Sequence, residues 1–138
     1  MNAMRRRLAR LATLLGAVAL LWACNAPFIP VPPPGASFTS QLVDDGAGGQ
    51  KTMWVTHGLP SMHAAGAYFY IVNERLQTGV IVVARPDGTY DSPAFDGMMD
   101  DRIRIGYSPV GDTYSDSICL LLTTEVAAGG SAPLCPSP

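Results

Sequence analysis

The chain has 138 residues, 48% hydrophobic and 14% charged, with 14 glycines, 12 prolines and 3 cysteines. Nine Lys and Arg against 11 Asp and Glu give a formal net charge of −2. That length carries one domain with a modest core, and the acidic balance excludes a partner held by positive charge, nucleic acid above all.

The N-terminus is the exception to that balance. Arg5, Arg6, Arg7 and Arg10 precede an almost wholly apolar run from Leu11 to Ala23. As a helix this run reaches roughly 20 Å, short of the ~30 Å hydrocarbon core. A basic start, a short apolar stretch and a small residue at the break mark a secretory signal over residues 1–23. The arginines stay on the cytoplasmic side, so the chain beyond the signal is exported. Leu21-Trp22-Ala23-Cys24 resembles the bacterial lipobox, although Trp22 is larger than the residue usual there. The resemblance implies that Cys24 takes a diacylglycerol thioether, that cleavage follows Ala23, and that the protein is tied to the membrane through lipid. An ordinary signal peptide cut near Ala23, or an uncleaved anchor helix, is the alternative. Asn25 stands where Asp commonly retains a lipoprotein at the inner membrane, so the resemblance favours the outer membrane and leaves the face open.

Residues 24–37 read as a tether. Pro27, Pro30, Pro32, Pro33 and Pro34 fix φ and favour an extended polyproline conformation, which holds the globular domain roughly 30–40 Å from the lipid. With Cys24 acylated, Cys119 and Cys135 remain, an even pair in an oxidising compartment and so a disulfide. In the chain-entropy picture such a loop contributes roughly 3 kcal/mol. Removing the signal leaves Lys51, Arg75, Arg85, Arg102 and Arg104 against all 11 acids, a net of about −6.

The remaining residues, 38–138, show no long amphipathic helix. Apolar and β-branched residues gather instead in short runs divided by turn signals, the all-β pattern. In chain order the runs are "SFTSQLV" 37–43, "TMWVT" 52–56, "AYFYIVN" 67–73, "TGVIVVA" 78–84, "TYDS" 89–92, "DRIRIGY" 101–107 and "SDSICLLLT" 115–123. In the third, Phe69 and Ile71 share one face and Tyr68, Tyr70 and Val72 the other. In the sixth, Ile103 and Ile105 point in while Arg102 and Arg104 point out. About seven strands suggest a sandwich of two antiparallel sheets.

Residues 55–122 resemble the bacterial immunoglobulin-like domains repeated in surface proteins. The matching positions are Gly66-Ala67, Asn73, Asp87-Gly88-Thr89-Tyr90, Asp100-Asp101, Ile103, Ile105 and Ser115. Asp100 stands where that family more often has Gly, and Gly111-Asp112 replaces its glycine-asparagine turn. The resemblance implies an immunoglobulin-like β-sandwich in which these residues shape turns and core and catalyse nothing.

Few chemical motifs compete with that reading. "GAGGQKT" at 46–52 lacks the glycine before lysine that a phosphate loop needs, and no helix comes after it. His57 and His63 flank Ser61, but no further ligand stands at zinc spacing and no G-x-S-x-G elbow occurs, so both read as loop histidines. Asp44, Asp45, Asp96, Asp100, Asp101, Asp112 and Asp116 lie in turns that in a sandwich could gather round calcium, yet the EF-hand spacing is absent and Asp is common in turns. No cofactor, metal or catalytic residue is therefore expected. Tyr68 and Tyr70, joined by Trp54 or Tyr107, form the candidate binding face, because aromatic faces take sugars and protein partners. The expected function is non-enzymatic: a structural, adhesive or partner-binding envelope protein. A periplasmic carbohydrate- or peptidoglycan-binding module is the alternative. A small hydrolase would need Ser61, a histidine and an Asp brought together.

Overall fold

The computed structural model describes residues 31–110 and 116–137. The expected signal segment, Cys24, the first part of the expected tether, Gly111-Asp112 and Ser115 lie outside the described residues. Among the described residues eight strands occur in chain order: β1 Ala36–Asp44, β2 Gln50–Gly58, β3 Tyr68–Asn73, β4 Thr78–Val83, β5 Tyr90–Asp91, β6 Phe95–Asp96, β7 Arg102–Ser108 and β8 Asp116–Leu121. A short 3-10 turn at Met62–Ala64 links β2 to β3. Among the described residues no helix is long and apolar enough to cross a membrane.

The strands form two antiparallel sheets of four. One has the order β1-β2-β5 with β6 also paired to β2, and the other the order β4-β3-β7-β8. Each of the seven expected runs carries a strand. Strand β6 has no counterpart among them, because a strand of two residues is too short to show a period.

Period-two alternation sorts the faces. On β3, Phe69 and Ile71 are buried and Tyr68 and Tyr70 exposed. On β7, Ile103, Ile105 and Tyr107 are buried while Arg104 is exposed. These inner residues meet Phe38 and Trp54 of the opposite sheet. Tyr90 fills the centre, its ring stacked on Phe69 with centroids 4.1 Å apart. Gly58 makes that possible: a Cβ there would lie 2.1 Å from Tyr90 Cε1.

One side of the sandwich is closed by the C-terminal segment. Leu121 N–H donates to Pro133 O at 2.9 Å and Cys135 N–H to Cys119 O at 3.0 Å, which extends the sheet past β8. Ala132 N–H donates to Ala36 O at 2.7 Å, tying the same segment to the first residue of β1. The Cys119–Cys135 disulfide, with Cα atoms 5.4 Å apart, locks this closure. Strand β1 begins two residues before the expected domain start at 38. Pro33 is already buried, and Gly35 O accepts from Leu59 N–H at 2.9 Å, so the last tether residues pack onto the domain.

The turn residues of the resemblance acquire physical reasons. Gly66 and Gly88 have φ of 70° and 79°, where a side chain is strained. Asp100 has φ of 66°, which explains why glycine suits that position and why Asp, one of the few other residues tolerant of it, can stand there.

Candidate functional site

Tyr68 and Tyr70 are set side by side on the outer face of the second sheet. The register pairs Tyr68 with Val83 and Tyr70 with Ile81. All four are exposed: Tyr68 by 51%, Tyr70 by 39%, Ile81 by 61% and Val83 by 51%. On the other side Tyr70 pairs with Gly106 and Tyr68 with Ser108, small residues over which a tyrosine ring can lie. A Cβ on Gly106 would come 4.0 Å from Tyr70 Cδ2. Along the strand the two tyrosines are about 7 Å apart. Together the four side chains present an apolar patch on the order of 300–400 Å².

Trp54 and Tyr107 do not join this platform. Both belong to the buried core, Trp54 donating its indole N–H to Gly97 O at 3.0 Å and Tyr107 facing Phe69 at 5.6 Å between centroids. Their positions within β2 and β7 put them on the inner faces, so the platform is completed by aliphatic residues of β4 instead. Ile81 and Val83 escaped notice in the sequence because "VIVV" shows no alternation; only pairing with β3 separates inward Val80 and Val82 from their neighbours.

Charge borders the patch beyond Val72, which pairs with Arg104. Arg102 Nε and Arg104 Nε donate to the two oxygens of Glu74 at 3.0 and 2.7 Å. These guanidiniums, Arg104 foremost, hold the Glu74 carboxyl below its ordinary range. The cluster is internally neutralised apart from one positive charge.

A second arrangement lies on the outer face of the first sheet. His57 is a strand residue and not a loop histidine: it pairs with Asp91 across β2 and β5. Its Nδ1 lies 2.7 Å from Asp91 Oδ1 and its Nε2 2.8 Å from Thr39 Oγ1. Arg85, the leading cause, and then His57 hold the Asp91 carboxyl below its ordinary range. An ionised Asp91 only accepts, so His57 Nδ1 donates to it, while Nε2 shares the second bond with the Thr39 hydroxyl.

The row has the order of a hydroxyl–imidazole–carboxylate triad, but with Thr39 in place of Ser61. Ser61 instead donates its backbone N–H to Asp87 O at 3.1 Å, and His63 sits exposed in the 3-10 turn. Acyl transfer also needs N–H donors converging on the developing oxyanion. In a sheet these groups lie in the plane of the strands, so the ladder around Thr39 offers none above its hydroxyl. The row acts as a cross-strand polar ladder tying β1, β2 and β5.

Several of the acidic residues are engaged singly, each with its own partners. Asp45 Oδ1 accepts from the N–H groups of Ala47 and Gly49 at 2.8 and 2.9 Å, and Asp44 Oδ1 from Gly46 at 2.8 Å. Carboxylates of the chain thus take up the loop amides that a phosphate would need; Gly46 to Gly49 form the hairpin loop between β1 and β2, and Gln50, Lys51 and Thr52 already belong to β2. Asp96 pairs with Lys51 at 3.1 Å. Asp101 is buried, and it accepts from Arg75, from Asn73 Nδ2 at 2.7 Å and from Met98 N–H at 2.9 Å. Among the described residues no three His, Cys, Asp or Glu side chains are grouped to hold a metal ion.

Comparison with protein-family models, with curated proteins and with solved structures finds no match.

Proposed function

We propose that the chain is an exported, lipid-anchored envelope protein without catalysis of its own, whose β-sandwich binds a partner through the outer face of β3 and β4. The observation that carries this reading is the contiguous exposure of Tyr68, Tyr70, Ile81 and Val83. A monomer has no folding reason to keep two tyrosines and two aliphatic side chains together in water, and such patches mark interaction sites. Leu21-Trp22-Ala23-Cys24 supports the anchor and Asn25 the outer membrane. The proline-rich segment supports a domain held clear of the lipid. Two antiparallel sheets, with turn residues matching the bacterial immunoglobulin-like pattern, support an immunoglobulin-like identity.

The test is binding of the purified protein to isolated outer membranes and to peptidoglycan sacculi, with Tyr68→Ala and Tyr70→Ala as probes. Both positions are exposed, so the variants keep the parent's unfolding midpoint while binding falls. Unchanged binding by the double variant would refute the assignment of this face.

A sugar ligand is the second reading, favoured by the spacing of the two tyrosines on one strand face. It requires that soluble peptidoglycan fragments quench tyrosine fluorescence in the parent and not in the double variant.

A further inference from the structure

Among the described residues nothing pairs with the outer edge of strand β4. Ala84 donates its N–H to Ala67 O at 2.9 Å. Antiparallel bonding alternates by residue, so Val82, Val80 and Thr78 also turn their backbone groups toward β3. Gly79, Ile81 and Val83 turn theirs away, and among the described residues no hydrogen bond reaches that side. The opposite edge of the same sheet is treated differently: the outward groups of Cys119 and Leu121 on β8 are bonded by the C-terminal segment. Exposed edges are commonly blunted with a charge, a proline or a bulge. "TGVIVV" has no charged residue and no proline, and its register with β3 is unbroken.

We propose that this edge is a self-association surface, to which β4 of a second copy of this chain adds antiparallel about a two-fold axis through Ile81. In that register Ile81 faces Ile81 of the second copy, Gly79 faces Val83, and Val83 faces Gly79. All three outward residues of each strand are then paired, by about six hydrogen bonds. The outer faces fit, because the branched Val83 meets the one residue without a side chain. From Leu76 to Ala84 neither strand carries a charge, so no like charges meet along the pairing. The two apolar patches become continuous across an eight-stranded sheet. One patch falls short of the roughly 800 Å² per partner of a stable interface, so the pairing belongs to the transient class. It does not depend on what the tyrosine face binds.

Cysteine trapping suits a transient dimer. Facing residues in a hydrogen-bonded antiparallel pair have Cα atoms about 5.5 Å apart, within disulfide reach. Full-length Ile81→Cys under mild oxidation is expected to form a covalent dimer in roughly tenfold excess over Leu42→Cys, a comparably exposed residue on the other open edge, β1. Ile81→Lys sets two ammonium groups opposite each other, so its light-scattering mass should stay monomeric where the parent self-associates. The proposal is overturned if Ile81→Cys links no faster than Leu42→Cys, or if Ile81→Lys self-associates like the parent. A strand donated by another protein, or a ligand confined to the tyrosine rings, would give the first of those results.

Discussion

Arg75 grips Asp101 through two nitrogens, Nε on Oδ1 and Nη2 on Oδ2 at 2.8 Å, at the point where β3 ends and β7 begins. Asn73 adds a third bond and caps the turn: its Oδ1 accepts from the N–H groups of Arg75 and Leu76 at 3.0 and 3.2 Å. One buried carboxylate therefore organises the end of the sandwich.

Acid should dissolve this arrangement. Arg75, ahead of the other donors, holds the Asp101 carboxyl down at about 2, against an ordinary 3.8. A folded-state value below the unfolded one gives stability that is complete above pH 4 and lost as pH falls toward 2. The contribution is about 2 kcal/mol before discounting for the half-exposed Arg75. Asp101→Asn should lower the urea midpoint at pH 7, and its deficit against the parent should shrink near pH 2. A constant deficit across that window would show that the charge of Asp101 is not what stabilises the fold.

The Cys119–Cys135 bridge should hold the C-terminal segment along β8 and at the start of β1. Replacing both cysteines with alanine is expected to reduce stability by about 3 kcal/mol. Hydrogen exchange should first rise at the Leu121 and Cys135 amides, whose bonds run between β8 and the C-terminal segment. Equal protection with and without the bridge would mean the backbone bonds alone secure the closure.

Tyr90 presents the opposite case, a group whose removal should help. Among the described residues its hydroxyl is buried without a hydrogen-bond partner, and burial pushes its pKa up. Tyr90→Phe keeps the stacking on Phe69 and removes that penalty, so stability should rise by roughly 1 kcal/mol in urea denaturation. A loss would reveal a partner for the hydroxyl.

Gly46 and Gly88 separate backbone strain from packing. Their φ values are nearly equal, 77° and 79°, but Gly46 stands in open space while a Cβ on Gly88 would lie 1.8 Å from Ser61 O. Gly46→Ala should cost roughly 1 kcal/mol, the strain alone. Gly88→Ala should cost roughly 3 kcal/mol or more, because backbone must move. Equal losses would contradict the contact between the β4–β5 turn and the Ser61 segment.

Much of this fold was legible wherever one face is wet and the other dry. Ile103 and Ile105 alternating with Arg102 and Arg104, and Phe69 and Ile71 with Tyr68 and Tyr70, announce both strand and face through period two. What depends on register was not legible. Thr39, His57 and Asp91 meet across three strands, and no local spacing brings them together. Asp101 looks like any turn acid until Arg75, 26 residues away, closes on it. The binding face shows the same division. Tyr68 and Tyr70 were visible on their own strand, Ile81 and Val83 became part of the face through pairing, and Trp54 and Tyr107 left it because alternation sent them inward.

The most direct test of the anchored-module account is the intact mass of the protein extracted from membranes of its host. The account predicts the mass of residues 24–138, less two hydrogens for the disulfide, plus a diacylglycerol, with or without one further acyl chain. A mass equal to the bare polypeptide, or to the uncleaved chain from Met1, would contradict it.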